Sequence, residues 1–269
     1  MTIVKGISRF FLAFGLSLAS GFSQAGPVVT VEAVSSVNEQ VSSRLLKSVR
    51  YHVDMAGRAV AEEQLNPSNA AKKELVSKWR SSTTARFEYS YVQEGVEHLR
   101  VYNAMSGQDL RDLLKVPQDH PLYSGFDERF AARGANAERY VKNIEVPDSR
   151  FSASLDIRQA DAELKALRNL ESDIRSGLVP SGGRLTGFIS QAPCESCKPM
   201  LENVLPETGY VSEAHISYLP NAREAASDLE RQIANKFYGV KKNLVSKDVL
   251  EKAAAANASA EGGALEACL

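Results

Sequence analysis

Cys194 and Cys197 stand two residues apart in Pro193-Cys194-Glu195-Ser196-Cys197. Thiols at that spacing sit on one turn of backbone. They can hold one metal ion, close as a redox pair, or form a structural bridge. Two carboxylates precede them, Asp161 and Glu163, one residue apart. A hard carboxylate ligates zinc alongside thiolate sulfur. A carboxyl near an apolar stripe has its pKa raised, which suits proton transfer. The more ordinary roles are a helix N-cap for Asp161 and a rim position reaching solvent for Glu163.

These residues need elements to place them. Ala160, Leu164, Leu167, Leu170, Ile174 and Leu178 fall on one face of a helix over 160–178. Arg184 to Ser190 reads as a strand after the Gly182-Gly183 turn. Pro193 is suited to the first position of a helix over 194–205. Val211 to Leu219 reads as a second strand, and 222–238 as a helix carrying Leu229, Ile233 and Phe237. Upstream, Phe87 to Val92 and Val96 to Tyr102 alternate around Glu94-Gly95, a hairpin signal. A short helix over 109–116 leads into 117–150, a loop-rich insertion that is either a lid or decoration. The order hairpin, helix, strand, helix, strand, helix predicts an α/β fold: a mixed β-sheet with helices packed on it.

Residues 26–84 read as a helical N-terminal region, with Val37, Val41, Leu45, Val49 and Val53 at helical spacing and a break and cap at Pro67-Ser68-Asn69. Residues 1–25 read as a secretory signal peptide: Lys5 and Arg9, an apolar run from Phe10 to Phe22, then Ser23-Gln24-Ala25 as a small-x-small cleavage site. That makes the chain exported, periplasmic or secreted, with no later membrane span. Residues 85–245 form the main domain, and the Ala/Gly-rich stretch 253–269 reads as a flexible tail. The formal charge is −1 and aromatics are 7%, so no overall basic footprint marks a nucleic-acid binder. Three cysteines are too few for a disulfide scaffold, and Cys268 reads as a free thiol. None of His52, His98, His120 and His215 has ligand spacing to another histidine.

Arg158-x-x-Asp161-Ala162-Glu163-Leu164-Lys165-Ala166-Leu167, a strand ending Phe188-Ile189-Ser190, and then Pro193-Cys194-Glu195-Ser196-Cys197 together resemble the cytidine-deaminase-like superfamily, above all its bacterial toxin-type branches. The family signature is H-x-E followed by P-C-x-x-C on successive helices with a strand between. Asp161 stands where histidine is usual. The resemblance spans 85–220 in element order and 158–219 in motif. It implies a Zn2+ ion held by Asp161, Cys194 and Cys197, with water in the open position. It implies Glu163 as the proton shuttle, and a substrate pocket running past Ser190 and the backbone at Ala192. The implied function is that of an exported zinc-dependent hydrolytic deaminase of a nucleobase, cytosine favoured over adenine, in a nucleotide or nucleic acid. An exported deaminase meets its substrate only in another cell. The resemblance therefore implies a toxin or effector, with an immunity protein in the producer. Two other readings stand beside it. One is a non-catalytic binding module on the same scaffold. The other is an exported thiol–disulfide protein using Cys194 and Cys197.

Overall fold

The alternation around Glu94-Gly95 builds a long hairpin, β2 (Thr84–Gln93) and β3 (Val96–Met105), in the computed structural model of the chain. The structure describes residues 26–34, 39–133, 138–152, 158–221, 225 and 227–266. The expected signal segment, Val37 and Cys268 lie outside these. Glu94 and Gly95 close the hairpin with φ of 53° and 79°, the positive pair that a two-residue turn between twisted strands requires.

β2 also pairs antiparallel with β5 (Gly183–Ile189), and β5 runs parallel to β6 (Val211–Tyr218). β1 (Val28–Ala33) lies parallel to β6, and β4 (Glu138–Tyr140) lies parallel to β3. The sheet is mixed, in the order β1-β6-β5-β2-β3-β4. Strand alternation divides its faces. Ala85, Phe87 and Tyr89 of β2 join Leu164, Leu167 and Leu170 of α5 (Ala162–Arg175) in one core. Leu164 and Leu167 are fully buried, each contributing about 1.5–3 kcal/mol of apolar burial. Arg86 and Glu88 face the other way, toward α1 (Glu39–Glu62). The second core lies there. It draws on α1, α2 (Asn69–Ser81), α3 (Leu110–Leu114), α4 (Phe126–Arg133), α8 (Asp228–Leu244) and α9 (Lys247–Glu266). Helices therefore cover both faces, the arrangement that buries a sheet central to an α/β fold.

Four stretches differ from the sequence reading. Residues 26–84 are not wholly helical. The β-branched run Val28-Val29-Thr30-Val31 forms the edge strand β1, and α1 packs directly on β2, so this region belongs to the same sheet and layers. The 117–150 insertion is neither lid nor loose decoration: Phe126 and Phe130 fill the second core, and Glu138 in β4 accepts from Arg86 and Asn103. The Ala/Gly-rich tail is helical to Glu266. Alanine is the best helix former, and the small residues of α9 let it lie close against α1. A Cβ built on Gly57 would fall 2.6 Å from the Ala253 Cβ. The fourth difference concerns the second cysteine segment. Helix begins at Cys197 rather than Cys194, as α6 (Cys197–Pro199), a π turn (Met200–Val204) and α7 (Leu205–Glu207). Pro206 has no N–H, and its ring crowds the carbonyl four residues earlier. The widened π turn accommodates it.

Candidate metal centre

β5 delivers the chain to the site. At its end the Ser190 N–H donates to Thr84 O (2.9 Å) and the Leu219 N–H to Ile189 O (2.9 Å), so β2 and β6 clamp the exit of β5 from both sides. The chain then turns tightly. The N–H groups of Cys197 and Lys198 both donate to Cys194 O, at 3.0 and 2.9 Å, and the Cys197 N–H also approaches Cys194 Sγ at 3.3 Å. The two sulfurs lie 3.0 Å apart, and both cysteines are free. Cys197 packs inside the α5-side core with Leu201 and Leu205.

Asp161 comes from the other side. It occupies the N-cap of α5, with extended φ/ψ, yet its side chain makes no capping hydrogen bond. Its Oδ2 instead lies 3.3 Å from both Cys194 Sγ and Cys197 Sγ. The side chain gives up the ordinary role of that position, worth about 1 kcal/mol, and turns to the thiols. Among the described residues, Asp161, Cys194 and Cys197 could hold a metal ion: three donor atoms within 4.8 Å of one another. A triangle with edges of 3.0, 3.3 and 3.3 Å admits a point about 2.0–2.3 Å from every corner, the range of zinc–oxygen and zinc–sulfur bonds.

The electrostatics favour a cation there. Burial pushes the Cys197 thiol far up, with Glu163, Asp161 and Cys194 adding to the effect. The nearest positive group to Asp161 is Arg158, at 3.9 Å and half exposed. A bound cation reverses this logic and draws the proton off a ligating thiol. An activated redox thiol needs the opposite surroundings, exposed and electropositive.

Glu163 is two residues along, in the first turn of α5, and is 3% exposed. Its pKa is raised to about 7: burial is the main cause, its own backbone N–H opposes, Asp161 adds to the rise, and Arg158 opposes. Glu171, two turns later and 0% exposed, is a useful contrast. Its carboxylate takes hydrogen bonds from Ser149 and Tyr210 (3.0 Å) and pairs with Arg175 at 3.3 Å. Glu171 is a satisfied structural carboxylate, whereas Glu163 is buried beside the donor triangle and meets its own backbone N–H.

Two positioning residues were not singled out in the sequence. Lys165, 1% exposed, donates to Met105 O and Gly107 O (both 3.2 Å) and to Asp109 Oδ1 (2.6 Å), tying the exit of β3 to α5 one turn beyond Asp161. Arg168 donates to Gln159 O at 2.7 Å and Phe151 O at 2.8 Å, fixing the approach to Asp161. Their signal was faint: two cations three residues apart beside an apolar stripe. Ser190 is buried. Its hydroxyl accepts from the Thr84 N–H at 2.9 Å and its carbonyl from Tyr238 at 2.7 Å, so both groups serve the joint between strands, while Ala192 is exposed. The histidines lie apart from the triangle. His52 is buried against Trp79 and Tyr140, His98 stacks on Tyr91, His120 meets Phe126 edge-on, and His215 bonds Thr30.

No family model, curated protein or solved structure matches this chain.

Proposed function

We propose that this protein is a zinc-dependent hydrolytic deaminase of a nucleobase, cytosine ahead of adenine, carried in a nucleotide or nucleic acid. The observation that supports it most is the side chain of Asp161, which leaves its helix cap to meet two thiols, with the buried Glu163 in the same first turn. Two sulfurs and one carboxylate oxygen make a mixed soft and hard donor set, which suits zinc, and three protein ligands leave one position open, as in a catalytic site. When bound, the ion supplies Lewis-acid activation of the water that hydrolysis consumes.

The rest falls to the chain itself. Glu163 takes a proton at its carboxylate oxygen and passes it to the ring nitrogen and the departing amine. One water is consumed and one ammonia released. A carboxylate at Asp161, where the deaminase signature has histidine, makes the site more negative and its Lewis acidity weaker. The leading segment supports export, hence a toxin or effector role with an immunity partner in the producer.

The test is elemental analysis of the purified protein, metal-replete and reduced, beside Cys194→Ser. About one zinc per chain is expected, lost in the variant, followed by ammonia release from cytosine-containing substrates that Glu163→Ala abolishes. Absence of zinc from the wild type would sink the reading.

A further inference from the structure

A cleft of about 660 Å³ opens between α2 and the α8–α9 corner. Lys73, Ser77 and Arg80 line it from α2, Tyr238 and Lys242 from α8, and Lys247 from the start of α9. Four cations and no carboxylate face it among the described residues, in a chain whose formal charge is −1. The acidic groups nearby are engaged elsewhere: Glu251 with Lys72 at 3.0 Å, and Glu74 with Lys115 at 3.2 Å. Arg80 gives its Nε to Val245 O (2.8 Å) and Lys247 bonds Asn69 Oδ1 (2.9 Å). These bonds hold both side chains in place along the cleft. Lys73 and Lys242 are exposed.

The cleft lies on the α1 side of the sheet, and its walls are bonded to the segments that carry the metal centre. Ser81, on its wall, also lines a second cavity of about 240 Å³ shared with Ser106 and Gly107. The Gly107 N–H donates to Ala160 O at 2.9 Å, one residue before Asp161. On the far wall, the Tyr238 hydroxyl donates to Ser190 O, where β5 ends before the cysteines. Lys73 and Arg80 share one face of α2, seven residues apart, which spreads the charge over about 10 Å of helix axis. That is longer than one phosphate group and matches a run of them.

We propose that this cleft binds the phosphodiester backbone of single-stranded nucleic acid and leads the strand to the metal centre. The proposal rests on the deaminase reading for what happens at the end of the track, and it makes the substrate a polymer rather than a free nucleotide. A strand already unpaired presents its bases without the cost of unstacking a duplex.

The test is fluorescence anisotropy of the purified protein with a labelled oligothymidylate, which carries neither cytosine nor adenine and is therefore not turned over. Binding should weaken steeply with salt. Lys73→Glu/Lys242→Glu should lower affinity by at least about tenfold and flatten the salt slope by about 1.4, two phosphate contacts at about 0.7 each. Lys47→Glu/Lys252→Glu, the same charge change on exposed residues outside the cleft, should do much less. Equal effects of the two double variants, no binding by the wild type at low salt, equal binding of duplex, or equal competition by polyglutamate would each overturn the proposal. Cys194→Ser should still bind oligothymidylate. Loss of zinc chemistry and loss of the cleft are therefore read separately.

Discussion

Glu163→Gln should make the protein more stable while silencing its chemistry. The carboxyl is 3% exposed and its pKa is raised from 4.5 to about 7, with burial the leading cause. At about 1.4 kcal/mol per pH unit of displacement, the ionised form costs the native state about 3 kcal/mol. The direction is set by proton uptake. Below the unfolded value both states hold the proton and no penalty applies. Between 4.5 and about 7 the folded state holds a proton that the unfolded state has released, so stability falls as pH rises, and above about 7 the whole penalty is present. Glutamine fits the same space and does not titrate. In metal-free, reduced protein, unfolding free energies of the two forms from urea titration should agree within a few tenths of a kcal/mol near about pH 4.5, and the variant should lead by up to about 3 kcal/mol near about pH 8.5. Zinc content of the loaded protein should not change, because Glu163 is outside the donor triangle. A variant less stable at both pH values, or a gap that does not grow with pH, would refute this account of the buried carboxyl.

Asp161→His should retain zinc or bind it more tightly, since a neutral imidazole relieves the negative crowding around Cys197; elemental analysis reads it, and complete loss of zinc would remove Asp161 from the ligand set. Gly57→Leu should destabilise the fold by about 1–3 kcal/mol through overpacking, outweighing a helix-propensity gain of at most about 1 kcal/mol. The new Cβ falls 2.6 Å from the Ala253 Cβ and 2.7 Å from the Ala253 carbonyl carbon. Hydrogen exchange should rise first along α9, and unchanged protection there would refute the close contact.

Residue periodicity revealed the elements around the site well. The hairpin over 84–105, the helix that became α5 and the strands on either side of the cysteines all carried strong alternation or an apolar stripe. Asp161 was legible as a position but not as a role. The same residue type caps helices and binds metals, and only the direction of its side chain separates the two. β1 was missed because its short β-branched run pairs with a strand far along the chain, and nothing local marks that partner. The tail misled for a related reason. Ala/Gly-rich composition resembles a flexible linker until a neighbouring helix offers a groove smooth enough to receive it, and Gly57 supplies that groove. The basic cleft was invisible because its cations come from α2, α8 and α9, elements that only the fold brings together.

The pairing of β1 with β6, and of α1 with α9, sets when this chain can close. The first strand must wait for residues beyond 210 before it gains its strand partner, whereas α1 meets β2 early and α9 only at the end. Contacts this distant in sequence slow folding, because a long loop loses its freedom before any bond repays the loss. During synthesis β1 therefore stays unpaired until most of the length has emerged, so the sheet gains this edge after its central hairpin.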